Sequence, residues 1–384
     1  MDLFKKCYEF TAVNEAKAAG IYPYCPVVSD KQTDVTIMSG NKTIMIGSSN
    51  YLGLSGDERV IEAAKIALDK YGTGVTGTRL FNGTTDIHLE LEAELAGFTG
   101  KEACTVFPTG FQSNVAIIGA LAGADDLIFG DDTNHESILT GIKASGAQYI
   151  PYPHDDYDAL EEALLHADSN KGKLIIVDGV FSYDGSLADV PRLVELKNKY
   201  GARLMIDDSH GFGSVGNTGR GTCEYYGLMD EVDVFMATFS KCLVSVGGFV
   251  AAEESVVNYI SHTAVAYTNT AALPPVNAAA ALAALNILKE EPWRGAKARE
   301  NAEYVREKLR AKGVRFADNA RAPIVSIYTK DEISTYVKFL QLMAKGIYTN
   351  VLVDNGVIRT CYNALHTQKE LDYIVEQFVE VFAE

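Results

Sequence analysis

Between about residue 100 and residue 255 the sequence alternates short, mainly apolar runs with amphipathic stretches. The runs are ACTVF, LIFGD, QYIPY, KLIIVDGVF, ARLMIDD, VDVFMATF and GGFVAA. Between them lie HESILTGIKASG, DYDALEEALLHAD and DVPRLVELKNKYG. A strand apolar on both faces is buried on both faces, and helices between consecutive strands supply the cover. The pattern predicts an α/β fold with a mostly parallel central sheet covered by helices. Such sheets bind ligands just outside the carboxyl ends of their strands. Chemistry is therefore expected directly after each apolar run.

The rest of the chain is organised around that sheet. In DERVIEAAKIALDKY, residues 57–71, Val60, Ala64, Ala67, Leu68 and Tyr71 fall on one helical stripe, and Gly72 stops it. A long helical region is expected from about Pro275 to Lys312. The tail then reads strand, helix, strand, strand, helix, with Thr367 and Glu370 forming a capping box that opens the last helix. A chain of 384 residues accommodates several units. The expected division is an N-terminal arm over 1–50, a large α/β unit over 51–275, and a smaller α+β unit over 276–384 that begins with the long helix.

Charge and cysteine usage exclude several functions. A net charge of −17 repels polyphosphate, which argues against nucleic acid and anionic membrane surfaces as partners. The six cysteines, Cys7, Cys25, Cys104, Cys223, Cys242 and Cys361, form no C-x-x-C pair. That scatter suits a reducing compartment and argues against a disulfide framework. The seven histidines are dispersed without ligand spacing, so no metal site is expected. MDLFKKCYEF holds no apolar run of signal-peptide length, and AAAALAALNIL is too short to span a bilayer. A cytoplasmic protein without a membrane span is expected.

Polar residues gather where the sheet places its ligands. Gly110, Phe111 and Asn114 follow CTVFPT, and Asp132 and His135 follow DLIFGD. Ser182 follows LIIVDGVF. Asp207, Asp208, Ser209 and His210 end the run ARLMI, and Thr238, Ser240 and Lys241 end VDVFMA. One such group is ordinarily a helix cap or a solvated surface residue. Five strand ends carrying Asp, His, Ser, Thr and Lys can instead converge on one cleft.

The stretches LMIDDSHGFGSVGNTGRGTCEYYGL and MATFSKCLVSVGGFVAA carry a resemblance. So do YLGLSGDERV, YGTGVTGTRLFNGTTDIHLELE, PTGFQSN, DDTNHESI, IIVDGVFSYDGSLADVP, LPPVNAAAALAAL and IRTCYNALHT. In that order and spacing they are similar to the α-oxoamine synthases, a branch of fold-type I pyridoxal phosphate enzymes. Within the family, GDERVIEA, KLIIVDGVFS and FSKCLVSVGGFVAA resemble the serine palmitoyltransferase-like bacterial branch. The resemblance implies decarboxylative condensation of an amino acid with an acyl thioester, from acyl-coenzyme A or an acyl-carrier protein, to give an α-amino ketone.

The resemblance also assigns residues. Lys241 matches the lysine that carries pyridoxal phosphate as a Schiff base and then acts as a base. A desolvated lysine has a lowered pKa, which suits both tasks. Asp207 matches the carboxylate on the pyridine nitrogen, and His135 the imidazole stacked on the ring. His210 and Ser182 match the groups on the phenolic oxygen, and His210 also the group that activates the acyl carbonyl. Gly110 and Phe111 match a helix-opening turn whose amides face the phosphate, and Thr238 a hydroxyl on the same phosphate. Thr270 matches a hydroxyl that reaches the phosphate of a neighbouring subunit, which implies a homodimer with interface active sites. Arg359 matches the arginine that grips the α-carboxylate, and Arg79 an arginine near the acyl donor.

Three departures stand out. Ser49 occupies a substrate-side position that is usually asparagine in the family. Ala271 stands where a second hydroxyl is frequent. GIYTNVLVDNGVIRT lacks the proline-rich loop that covers the acyl-donor entrance, and a more open mouth would suit an acyl-carrier protein. A transaminase or another pyridoxal phosphate reaction on the same fold is the alternative, since fold does not fix function. A non-catalytic partner subunit is the second alternative, and the intact Lys241, Asp207 and His210 argue against it.

Overall fold

The computed structural model describes residues 1–352 and 356–383. Two short strands, β1 (Val35–Met38) and β2 (Asn41–Met45), form an N-terminal hairpin. Seven strands then build the main sheet. They are β3 (Ala103–Phe107), β4 (Leu127–Asp131), β5 (Gln148–Tyr152), β6 (Lys173–Asp178), β7 (Arg203–Asp207), β8 (Val234–Thr238) and β9 (Gly248–Ala252). Each apolar run of the sequence is one of these strands. Their order is β3-β9-β8-β7-β6-β4-β5, and only β9 runs antiparallel to its neighbours. All five residues of β4, β8 and β9 are buried, as cover on both faces requires.

Caps explain where the flanking helices begin. Thr109 accepts from Gln112 N at the start of helix Gly110–Leu121, and Asp189 accepts from Arg192 N at the start of Val190–Tyr200. Helix Glu58–Tyr71 has Asp57 as its N-cap and ends at Gly72, whose φ of 78° suits glycine. Its stripe is only partly buried: Val60 and Ala67 are covered, whereas Leu68 is 44% exposed. The long helical region is two helices, Pro275–Glu290 and Trp293–Ala311. Pro292 lies at the break, where it cannot continue the first helix's hydrogen bonding.

Helix Pro275–Glu290 packs on Glu58–Tyr71 and buries Ala278, Ala281, Leu285 and Leu288 in the core beside the main sheet. A second core collects Ala302, Val305, Val325, Ile358, Ile374 and Phe378, together with Ile46 from the N-terminal segment. The tail carries one strand more than its pattern suggests. It holds β10 (Ile324–Tyr328), β11 (Ile347–Tyr348), β12 (Asn350–Leu352) and β13 (Val357–Cys361). β10, β13 and β12 form one sheet, whereas the two residues of β11 pair with β2. Two residues are too few to show a period, so only the distant partner reveals that strand. The Thr367–Glu370 capping box opens helix Gln368–Phe382. Among the described residues no helix is long and apolar enough to cross a membrane, and no cluster of His, Cys, Asp and Glu could hold a metal ion.

Candidate active site

A cavity of about 280 Å³ opens at the carboxyl ends of the parallel strands. Lys241, His210, Asp207, His135, Gly110, Phe111, Ser182 and Thr238 all line it. The strand ends thus bring together eight of the residues to which the resemblance assigns a role. Asp178, Ser137, Ser209, Met236 and Ser240 line it as well.

One end is built for an anion. Helix Gly110–Leu121 starts there, and the first amides of a helix have no intrahelical acceptor. A Cβ on Gly110 would lie 2.5 Å from Thr238 Oγ1 and 2.6 Å from Thr238 Cβ. Only glycine lets the helix start approach β8 this closely. Thr238 Oγ1 lies 2.9 Å from Ser240 Oγ and donates to the carbonyl of Gly247 at 3.0 Å. Phe111 is half exposed at the rim, with its ring 6.4 Å from that of His135.

The opposite end is acidic. Asp207 ends β7 and is buried; its Oδ2 accepts from Asn114 Nδ2 at 2.7 Å and its Oδ1 from Ser209 N at 3.0 Å. The next residue, Asp208, faces away, as strand alternation requires. It accepts from Thr222 N at 2.6 Å and Thr222 Oγ1 at 2.7 Å, and burial lifts its carboxyl to about 7. Glycines at 179, 211 and 221 make room for it, since a Cβ at any of them would come within 2.4 Å of a carboxylate oxygen.

Asp178 on β6 is the register partner of Asp207 on β7. Burial, and then the Asp207 charge, hold its carboxyl well above the ordinary range. The sequence hid this residue, because it sits inside the apolar run LIIVDGVF. Asp178 Oδ2 accepts from His135 N at 2.7 Å, and Asn134 bridges to β6 through Asp178 N at 3.0 Å and Ile176 O at 2.9 Å. These bonds fix the backbone that presents the His135 ring. Burial lowers the His135 pKa; the Asp207 charge opposes that shift and the positive charge of Lys241 adds to it.

Lys241 follows β8. Burial lowers its pKa, Asp207 opposes that shift, and the nearby Arg359 reinforces it. The loop after it is strained: Val244 has φ 44°, a left-handed conformation that a β-branched residue rarely adopts. His210 is buried, and its Nδ1 lies 2.8 Å from Tyr51 Oη. Burial, with Lys241, Arg359 and His135 adding to it, pushes the His210 pKa well below its usual value. Tyr51 belongs to the stretch YLGL, which carries the resemblance but no expected role. Its meeting with a residue 159 positions away has no local sequence signal.

The four remaining residues lie outside the cavity lining. Arg359 sits on β13 between Ser326 and Asn350 of the adjacent strands. Its side chain is buried, and Nε and Nη2 find no partner among the described residues. Two nitrogens of a buried guanidinium without acceptors among the described residues are costly until an anion meets them. Arg79 is already engaged: its fork holds Glu92 at 2.7 and 2.9 Å. Glu92 also accepts from Val106 N at 2.9 Å, so Glu92 ties helix Asp86–Thr99 to β3 and Arg79 braces that carboxylate. Ser49 is half-buried, and its carbonyl accepts from Tyr51 N at 2.9 Å. Thr270 is half-buried on the loop after Val265–Thr268.

The aminotransferase class I and II family model matches residues 41–378. A serine palmitoyltransferase of Bacteroides ovatus is 39% identical over 386 aligned residues, covering 99% of this chain and 98% of that protein. An 8-amino-7-oxononanoate synthase of Thermosipho melanesiensis is 36% identical, covering 96% of each chain. The solved structure of Sphingomonas wittichii serine palmitoyltransferase superposes with a TM-score of 0.95 at 31% identity, covering 99% of this chain and 98% of that one.

The cavity fits pyridoxal phosphate on its own terms. A glycine-tight helix start with neighbouring hydroxyls suits the phosphate, a buried carboxylate stands at the far end, and a desolvated lysine amine lies between strand ends. Geometry and likeness agree, and this chain belongs to the aminotransferase class I and II family as a pyridoxal phosphate-dependent enzyme of the α-oxoamine synthase type.

Proposed function

We propose that this chain condenses an amino acid with an acyl thioester, releasing the thiol and carbon dioxide and leaving an α-amino ketone. Serine and a palmitoyl-type thioester, the pair in the name of its relatives, are the proposed substrates. The observation that carries the reading is end-to-end likeness to serine palmitoyltransferases, in a chain whose cavity holds a buried amine, carboxylate and imidazole together. When bound, pyridoxal phosphate supplies an electron sink for charge at the amino acid's α-carbon.

The chain's own residues bind, orient and move protons. Gly110, Phe111 and Thr238 hold the phosphate, and Thr270 reaches the phosphate of a second copy in a homodimer. Asp207 holds a proton on the ring nitrogen, His135 packs on the ring, and Ser182 donates to its phenolic oxygen. Lys241 Nζ takes the proton from the substrate α-carbon, for which a lowered pKa suits it. Tyr51 occupies His210 Nδ1, which leaves Nε2 to donate to the acyl carbonyl oxygen. Arg359 meets the substrate carboxylate and sets which α-carbon bond lies ready to break. Ser49 contacts substrate beside Tyr51. Arg79 acts on the donor side only through the helix that it anchors.

Purified enzyme given serine and palmitoyl thioester is expected to release free thiol and carbon dioxide in equal amounts. Keto-acid formation without thioester would overturn the reading in favour of transamination. Arg359→Ala is expected to raise the KM for the amino acid by roughly 10- to 150-fold, the worth of a charged hydrogen bond. Initial rates over a serine series at fixed thioester measure it, and an unchanged KM removes Arg359 from the carboxylate site.

We propose an acyl-carrier protein as one donor, in a cytoplasmic setting. β12 ends at Leu352 and β13 begins at Val357, so the intervening connection is short. Residues 353–355 of it lie outside the described residues. Palmitoyl transfer from purified acyl-carrier protein is expected to be at least as fast as from the coenzyme A ester. Activity with the coenzyme A ester alone would show the idea wrong.

A further inference from the structure

Asn114 is fully buried on helix Gly110–Leu121 and does not line the cavity. Its Nδ2 lies 2.7 Å from Asp207 Oδ2 and 2.9 Å from Ser137 Oγ. An ionised carboxylate only accepts hydrogen bonds. The amide nitrogen, not its oxygen, must therefore face Asp207, and both of its hydrogens are committed. Ser137 completes the logic. Its backbone N–H points at His135 Nδ1 at 3.2 Å, so that nitrogen carries no proton. Ser137 Oγ, 2.7 Å from the same nitrogen, donates to it and is left to accept from Asn114. The chain Asp207–Asn114–Ser137–His135 thus has one consistent direction. Asn114 Oδ1 is buried without a partner among the described residues. Orphaned acceptors are rare in folded proteins, and packing alone would be better served by an apolar side chain.

We propose that Asn114 is a positioning residue for the reaction: it holds the Asp207 carboxylate toward the cofactor's ring nitrogen, and Ser137 pins its second hydrogen so that the amide cannot rotate away. This rests on the reading in which Asp207 meets that nitrogen. Asn114 supplies the only side-chain donor to Asp207 among the described residues. The remaining charged groups about Asp207 are Asp178 on β6, Asp208 beside it on β7, His135 after β4 and Lys241 after β8. Arg359 on β13 and His210 face Lys241. None of these supplies a bond to Asp207 Oδ2.

The test titrates pyridoxal phosphate into cofactor-free wild type, Asn114→Leu and Asn114→Asp, reading the absorbance of bound cofactor. Asn114→Leu keeps the branching at Cγ but removes the donor, and is expected to bind roughly 10- to 100-fold more weakly, the worth of a hydrogen bond to a charged group. Asn114→Asp keeps the shape. One proton shared between the two carboxyls mimics the amide at low pH, and both ionise and repel at high pH. Its affinity relative to wild type is therefore expected to fall steadily from about pH 6 to about pH 9, a response that a purely structural role would not give. Should Asn114→Leu fail to fold by circular dichroism, Asn114→Asp decides alone. An Asn114→Asp protein matching wild type in affinity and pH response overturns the inference. Wild type that binds no pyridoxal phosphate would instead overturn the proposed function, so the two failures are distinct.

Discussion

Lys241→Ala is expected to lose condensation activity by a factor on the order of 10⁴, because one amine both anchors the cofactor and moves the α-carbon proton. Burial lowers the pKa of Lys241, and no other lysine lines the cavity. An alanine there leaves the phosphate end intact, since Thr238 bonds Ser240 and Gly247 and packs against Gly110 without Lys241. The variant is therefore expected to bind pyridoxal phosphate still, but without a covalent link. Borohydride reduction followed by peptide mass spectrometry separates the outcomes. Wild type gains a pyridoxyl group on the peptide that contains Lys241, and the variant gains none. Small primary amines are expected to restore part of the proton transfer, since the deletion opens space for them beside the substrate. A variant that retained a tenth of wild-type turnover would remove Lys241 from both tasks.

The sequence was most legible where burial is symmetrical. Every run from ACTVF to GGFVAA holds a strand, and the inner strands are apolar because both of their faces are covered, whereas QYIPY, at the sheet's edge, is partly exposed. The same rule located the cavity, since polar residues directly after such runs have few places to be except the strand ends. It failed where a polar residue lies inside a run. Asp178 reads as part of LIIVDGVF, and only its register with Asp207 shows that the two carboxyls are neighbours. Long-range pairs were equally hidden. Tyr51 meets His210, and β11 meets β2, through contacts that no local period encodes. Leu68 fits the apolar stripe of its helix yet stays exposed, because periodicity gives a face but not the width of the surface that covers it. Arg79 holds Glu92 in its fork, a partner thirteen positions away that its glycine-rich motif does not reveal.

Asp207→Asn tests the electrostatic half of the site, and its kcat is expected to fall by roughly 10²- to 10³-fold, the usual effect of removing one group aimed at developing charge. The substitution preserves shape but not hydrogen-bond polarity. Asp207 accepts on both oxygens, from Asn114 Nδ2 and from Ser209 N. An asparagine offers one oxygen and one donor, so either Asn114 or Ser209 is left facing an N–H in a buried place. The charge change propagates to neighbours with a definite sign. Asp207 opposes the lowering of the Lys241 pKa and raises that of Asp178, so without it both pKa values fall. Asp178 then ionises more easily and supplies part of the missing negative charge from the adjacent strand. Asp207→Asn is accordingly expected to keep more activity than Asp207→Asn combined with Asp178→Asn, and the gap should widen as pH rises through the range where Asp178 ionises. A pH series of kcat for wild type and both variants measures this. Single and double variants with the same pH profile would show that Asp178 stays protonated throughout, and that the carboxylate function rests on Asp207 alone.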